Sequence, residues 1–543
     1  MKQTWEEEVV YQISPRSFCD SNGDGVGDIP GIISKLDYLA SLGVKILWLS
    51  PIYKSPLFDM GYDVADYYSI HEQMGTMEDF DRLLSESKKR GMKIVMDLVV
   101  NHTSNEHEWF KRALRGEAPY HDYYVFRKGK KKGVPPNNWT SMFTGPAWEY
   151  VPELDEWYLH LYDAAQPDLN WHNPAVKEEV KKILRFYLDK GVYGFRCDVI
   201  NQIYKESYAD GKGLSASGKG MEHYLSTEGN HRILQELYRD VFSTYPDHVV
   251  IGETLNVDIP TGERFLRDHE LDMFFTFEHM NVDKALGGGI MKKFRPEKLR
   301  KVLFDYQQGV RWNAIYFENH DQLRSLPRFG NTKEYRDISA KALATLLLTL
   351  KGTPFIYQGQ ELGMLNAPGR DVDESLDCAC RSIYKLFRKS LHIPTGLAKK
   401  MACNFDRDRC RAPMAWSAEP GLGFTSGKAW LPFAEDDGTH NVASEEKSED
   451  SVLAYYRKLI RLRRERIELH AGEFDPLDTR GSLFAYRRVS GKDSVLIMIN
   501  LSAKPLALPR YLQSVHGKAL LQNYSEKLEG SLPPYGAAII ALE

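Results

Sequence analysis

Three carboxylates close three short apolar runs: Asp198 in GFRCDVI (194–200), Glu253 in VVIGET (249–254) and Asp321 in AIYFENHD (314–321). Each run reads as a buried β-strand with its acid near the C-terminal end, the end that carries chemistry in a parallel barrel. Three acids meeting there suit glycosidic bond cleavage, which takes one carboxylate as nucleophile or base and another as acid. Arg196 stands two positions before Asp198, so on a strand both side chains share one side. A cation beside a carboxylate keeps it ionised. Glu253 follows Gly252 at the end of an apolar run, where burying it ionised is costly. It is expected either to pair or to hold a raised pKa, as a general acid does. Asp321 lies in a polar cluster with Glu318, Asn319 and His320. Each site alone has a structural reading, such as an Arg–Asp pair or a paired core glutamate; three coincidences at once favour function.

These acids need a frame. Near-continuous apolar runs recur at 9–13, 44–50, 93–100, 194–200, 249–254, 273–278, 314–319 and 354–359. Such runs fit parallel strands covered by helices. Between them lie amphipathic stretches: 79–91 begins with acids and ends in bases before Gly91, and 174–191 is bounded by Pro174 and Gly191. The count of strands is the barrel number, so the expected fold class is α/β, a (β/α)8 TIM barrel. The stretch 102–172 is too long for a simple connection and reads as a small domain inserted after strand 3. After 465, short β-type runs separated by turn residues predict a C-terminal antiparallel β-domain. The expected division is barrel 1–101, insert 102–172, barrel 173–464 and β-sandwich 465–543.

With 543 residues the chain exceeds one ordinary core. A net charge of −4 points to no nucleic-acid surface, and the basic run 127–133 reads as a solvated loop. The N-terminal residues lack the apolar segment of a signal peptide, and ALATLLLTL (342–350) is too short to cross a bilayer. The expectation is a soluble, cytoplasmic protein without membrane partner, a monomer or weak homo-oligomer. Six cysteines are too few for a disulfide framework. Four of them (Cys378, Cys380, Cys403, Cys410) lack zinc spacing and read as buried thiols. Loop aromatics such as Trp139, Trp148, Trp157, Tyr158 and Trp171 suit sugar stacking or ordinary packing. In DSNGDGVGD, Asp20, Asn22, Asp24 and Asp28 place hard oxygen donors around Gly25, the pattern of a calcium loop or of an Asx-rich turn. Gly31 at the twelfth position excludes an EF-hand.

DLVVNHTS (97–104), GFRCDVI, IGET and FENHD, in that order, resemble the hallmark segments of the α-amylase family of glycoside hydrolases. QPDLNW (166–171) and RAPMAW (411–416) resemble its oligosaccharide α-glucosidase branch, which includes oligo-1,6-glucosidases, dextran glucosidases and trehalose-6-phosphate hydrolases. The resemblance implies Asp198 as nucleophile, Glu253 as acid/base and Asp321 as the residue holding the distorted sugar's hydroxyls. It implies that Arg196 positions Asp198, that His102 and His320 bind hydroxyls, and that Tyr62 stacks on the ring. Asp63 and Arg411 would grip the 4-hydroxyl end and close the pocket to all but a terminal glucose, with Phe143 and Gln166 also at the substrate. Val199 after the nucleophile resembles the α-1,6-acting members. The loop would hold a structural Ca2+ through Asp20, Asn22, Asp24, the Val26 carbonyl and Asp28, with no organic cofactor. The implied substrate is a small oligosaccharide. The rivals are trehalose 6-phosphate hydrolysis, α-1,4 or sucrose-acting relatives and, remotely, the non-catalytic transporter heavy chains. SLPRFG (325–330) resembles the hydrolase form and not the arginine-rich loop of sucrose isomerases. The segment 366–410 departs from the family pattern.

Overall fold

The computed structural model describes residues 4–285, 290–435, 438–525 and 530–543. Eight parallel strands form the centre: β1 (Val10–Ile13), β2 (Ile46–Leu49), β3 (Lys93–Leu98), β4 (Gly194–Cys197), β5 (Val249–Glu253), β6 (Met273–Phe275), β7 (Ala314–Ile315) and β8 (Thr353–Tyr357). They pair in the order β6-β5-β4-β3-β2-β1-β8-β7, and β6 packs against β7 across the remaining seam. The sheet is a nearly closed TIM barrel, as expected from eight runs that are apolar on both faces. Every residue of β1, β2, β4, β5, β6 and β8 is buried.

Local signals set the helices around it. In α1 (Met77–Lys89) the Thr76 hydroxyl accepts from Asp79 N at 3.1 Å while Asp79 returns a bond to Thr76 N, a capping box. In α2 (Pro174–Lys190) Asn173 caps the start, and Gly191 at φ 100° ends the helix in the left-handed conformation glycine favours. All of the apolar run 342–350 but its last residue lies in α3 (Arg336–Thr349), which packs against the C-terminal sheet. No helix among the described residues is long and apolar enough to cross a membrane.

Within 102–172 a three-stranded antiparallel sheet joins Phe126–Arg127, Glu156–Leu159 and Trp148–Val151. Trp139, Trp148 and Trp171 are buried, so these aromatics serve packing. Near the C-terminus β9 (Glu473–Pro476), β10 (Leu483–Ser490), β11 (Asp493–Asn500), β12 (Gly517–Gln522) and β13 (Ala537–Leu542) form an antiparallel sheet ordered β9-β10-β11-β13-β12.

Two strands end earlier than their apolar runs, and both endings shape the site. β4 stops at Cys197, because Val199 adopts φ 38°, ψ 39°. β7 stops at Ile315, since the polar cluster that follows closes a turn. There Asn319 Oδ1 accepts from Asp321 N at 2.8 Å, and Glu318 Oε2 accepts from Ser325 N at 2.9 Å. Asp198 and Asp321 therefore stand on the loops at the barrel's C-terminal rim, and Glu253 on the last residue of its strand.

Candidate active site

One guanidinium organises the rim. Arg196 Nη1 donates to Asp97 Oδ1 at 2.7 Å and to Asp198 Oδ1 at 2.8 Å, and its Nη2 lies 2.7 Å from Glu253 Oε2. Arg196, Asp97, Asp198 and Glu253 are all buried. Strand periodicity accounts for the Arg196–Asp198 pairing, but the other two acids arrive from β3 and β5. Asp97 Oδ2 further accepts from Trp48 Nε1 at 3.1 Å and Tyr62 Oη at 3.0 Å.

Three acids share one cation, and burial prevails. Burial pushes Asp198 up to about 7; Arg196 opposes this, and Asp97 adds to it. Glu253 is likewise raised to about 7 by burial, against Arg196. Arg196 acts on Asp198 in the expected direction, favouring its ionised form, but its charge is divided among three partners in a poorly hydrated site and burial outweighs it. A hydrogen bond from Glu253 favours the charged form of Asp198. The pair accordingly holds a proton near neutrality, which is the inventory of one acid and one base. Asp321 behaves oppositely. Burial would raise it, but His320, Arg407 and Arg411 outweigh that and hold it well below the usual carboxylate range.

His320 fixes the ring beside these acids. Its Nδ1 accepts from Gln12 Nε2 at 2.7 Å, leaving Nε2–H for Tyr62 Oη at 2.7 Å and Asp321 Oδ2 at 3.2 Å. The Tyr62 and His320 rings stack, with centroids 5.3 Å apart. His102 Nε2 and Gln166 Nε2 both lie on the Tyr62 carbonyl, at 3.0 and 3.2 Å. These two residues brace the Tyr62 loop from behind.

Two expected sugar-gripping residues are corrected. Asp63 is fully buried. Its Oδ1 accepts from Ser55 Oγ (3.0 Å) and Asp59 N (3.1 Å), its Oδ2 from Phe58 N (2.9 Å). Those bonds close its own loop and turn the carboxylate away from any ligand. The acid that faces the site is Asp59, four residues earlier, paired at 2.7 Å with Arg407 Nη2. Arg411 is also buried, donating to the His320 carbonyl and Asp321 Oδ1, each at 2.8 Å. It braces Asp321, and with Tyr62, His320 and Trp430 it borders a void of about 20 Å³. The cation beside the open space is Arg407, bonded to Asp321 Oδ1 (3.1 Å), Asp59 Oδ1 (2.7 Å) and Asp377 Oδ1 (2.7 and 3.0 Å).

A cavity of about 580 Å³ opens at this point, lined by Phe143, Asp321 and Arg407 among others. The Arg407 guanidinium sits 5.5 Å over the Phe143 ring. Val199 donates its N–H to Glu253 Oε2 at 3.1 Å. A β-branched residue at positive φ costs on the order of 1–3 kcal/mol, and the buried cluster of Val199, Trp139, Tyr162 and Tyr224 holds it there.

Asp97, Asp59, Arg407 and Asp377 escape the sequence reading. Asp97 lies inside the apolar run of β3, a buried acid in a strand as Glu253 is at the end of β5. The other three lie in loops without periodicity.

The loop 20–28 offers only oxygen donors, the chemistry a hard cation takes. Its side chains are spent on Asx turns. Asp20 accepts from Asn22 N, Gly23 N and Gly25 N; Asn22 from Asp24 N; and Asp24 from Val26 N. Asp28 caps Gly31 N at 2.6 Å. Among the described residues no three acids, histidines or cysteines converge as a metal-holding group. All six cysteines are free thiols.

A parallel barrel with acids converging on its C-terminal rim and an antiparallel sheet after it has the architecture of a barrel glycoside hydrolase. A family profile described as the catalytic domain of alpha amylase matches residues 12–472, and the chain belongs to that family of enzymes. It is 41% identical to an oligo-1,6-glucosidase from Bacillus cereus, with 100% of each chain covered. The fold matches a trehalose-6-phosphate hydrolase from Bacillus licheniformis with a TM-score of 0.92 at 39% identity, and an isomaltulose synthase from Klebsiella sp. LX3 with 0.94 at 36%, each over 100% of both chains.

Proposed function

We propose that the protein is a retaining, exo-acting α-glucosidase that releases terminal non-reducing glucose from short α-glucosides, α-1,6-linked ones in particular. The observation that carries this reading is the placement of Asp198 and Glu253 on adjacent nitrogens of Arg196. Two carboxyls on one guanidinium, joined by a hydrogen bond, favour the separation of about 5–5.5 Å that retention takes over the gap of about 6.5–9.5 Å that inversion needs. Asp198 attacks the anomeric carbon and forms a glycosyl-enzyme while Glu253 protonates the departing oxygen. Glu253 then takes a proton from the water that frees the sugar. Asp321, kept ionised by His320, Arg407 and Arg411, accepts from ring hydroxyls and stabilises the positive charge of the transition state. Asp59 and Arg407 grip the far end of the ring, with Tyr62 against its face.

Val199 and the similarity to oligo-1,6-glucosidases support the α-1,6 preference. A substrate panel tests it: glucose released from isomaltose in clear excess over maltose supports the reading, and cleavage of trehalose 6-phosphate alone replaces it. The latter rival gains support from Lys284, which lines the cavity half-buried and bonds Gln322 Oε1 at 2.9 Å. Asp198→Asn is expected to abolish turnover in a folded protein; full activity would remove the mechanism.

Two accessory readings accompany this one. A structural calcium ion in the loop 20–28 is supported by the all-oxygen donor set. A cytoplasmic setting suits the six free thiols.

A further inference from the structure

The small void beside Tyr62 and Arg411 takes no part in the mechanism above. Its walls include the turn after β1, with Ser14 and Arg16, and Arg411 and Trp430 from the far end of the chain. Three nitrogen donors on these residues, Arg16 Nε, Arg411 Nη1 and Trp430 Nε1, are buried and have no hydrogen-bond partner in the protein. Arg411 is only 2% exposed, and its other donors are held, Nε by the His320 carbonyl and Nη2 by Asp321. Arg16 spends its Nη1 on Gln73 Oε1 at 3.2 Å, and its guanidinium lies 4.6 Å over the Trp430 ring. No aspartate or glutamate lines the void, and among the described residues none forms an ion pair with Arg16. Burial pulls Arg16 down to about 10, against the more distant charge of Asp24. The void is thus walled by donors and by two cations, of which only Arg411 has a carboxylate partner.

A buried donor without an acceptor is costly, and a buried cation without a counter-charge more so. A volume of about 20 Å³ holds one particle of roughly the size of a water, so sulfate, phosphate and carboxylates are too large. A water brings two lone pairs to three donors, and no charge. A monatomic anion accepts from all three and offsets Arg16. We propose that the void is a binding site for a single halide ion, chloride in ordinary solution, held by Arg16, Arg411 and Trp430. The ion completes the hydrogen bonding of Arg411 and so pins the guanidinium that braces Asp321. Binding itself does not depend on the α-glucosidase reading; only the consequence for Asp321 rests on it.

The test is a thermal melt of the full chain in potassium chloride and in potassium methanesulfonate at equal ionic strength, the second anion being too large for the void. Screening is then the same in both. Chloride is expected to raise the melting temperature along a saturating curve, and bromide to do the same. Trp430→Phe keeps the ring and removes one donor, so the chloride concentration at half-effect is expected to rise about tenfold. Arg16→Gln is expected to abolish the saturating rise. Because each variant is compared with itself in two salts, a general loss of stability does not mimic these results. Crystals soaked in bromide are expected to show an anomalous peak within hydrogen-bond reach of Arg411 Nη1. Equal melts in the two salts, or a chloride curve that both substitutions leave unaltered, overturns the proposal and leaves a water in the void. Turnover of an aryl α-glucoside is expected to follow the same chloride curve; turnover indifferent to chloride while the melt responds overturns the link to Asp321.

Discussion

Asp97→Asn tests the charge balance of the site most directly, since it keeps the shape of the side chain and makes one of the three acids around Arg196 permanently neutral. Asp97 and Asp198 accept from the same Arg196 nitrogen, which sets their oxygens at most about 5.5 Å apart; at an effective dielectric of about 20, two unit charges there repel by about 3 kcal/mol. Since one pKa unit corresponds to about 1.4 kcal/mol, relief of that repulsion lowers the Asp198 pKa by roughly one to two units after local relaxation. The sign follows from the native site, where burial, with Asp97 adding to it, raises Asp198 to about 7. Removing an anion favours the charged form of its neighbour, and Glu253 feels the same change. Asp198 must be ionised and Glu253 protonated for turnover, so both limbs of the bell-shaped kcat/KM profile move to lower pH. The assay is glucose release from an aryl α-glucoside across the acid and neutral range, with a thermal melt to show folding. Loss of one charge-assisted partner of Arg196 costs about 1–3 kcal/mol of stability. A profile that stays in place, or moves to higher pH, refutes the account of the site as three acids competing for one cation.

Arg407→Lys keeps the charge but loses the fork that reaches Asp59, Asp321 and Asp377 together. KM for α-glucosides is expected to rise at least tenfold, and an unchanged KM would return the gripping role to Arg411. Asp63→Asn is expected to lower stability by about 1–3 kcal/mol in chemical denaturation with little change in KM; a large KM effect on an intact fold would restore it as a substrate ligand. Removing calcium with a chelator is expected to lower the melting temperature and calcium to restore it, whereas a melt indifferent to both would leave the loop 20–28 as Asx turns alone.

The division between what the chain declares and what folding decides is clear in particular residues. The eight strands were legible because each is buried on both faces, which writes a continuous apolar run into the sequence. Asp198 and Glu253 were legible because a charged residue at the end of such a run has few uses other than chemistry. Asp97 lies inside its run on β3, and only the closed barrel shows it bonded to Arg196 and Tyr62. The choice between Asp59 and Asp63, and between Arg407 and Arg411, was not written locally. Each pair is four residues apart and chemically identical. Positive φ at Met60 and Gly61 folds the first loop so that Asp63 meets its own backbone amides and Asp59 meets Arg407. The pKa of Asp198 likewise belongs to the tertiary structure. Sequence supplied the neighbouring arginine, but the barrel supplied two further acids and the exclusion of water, and those determine where the proton resides.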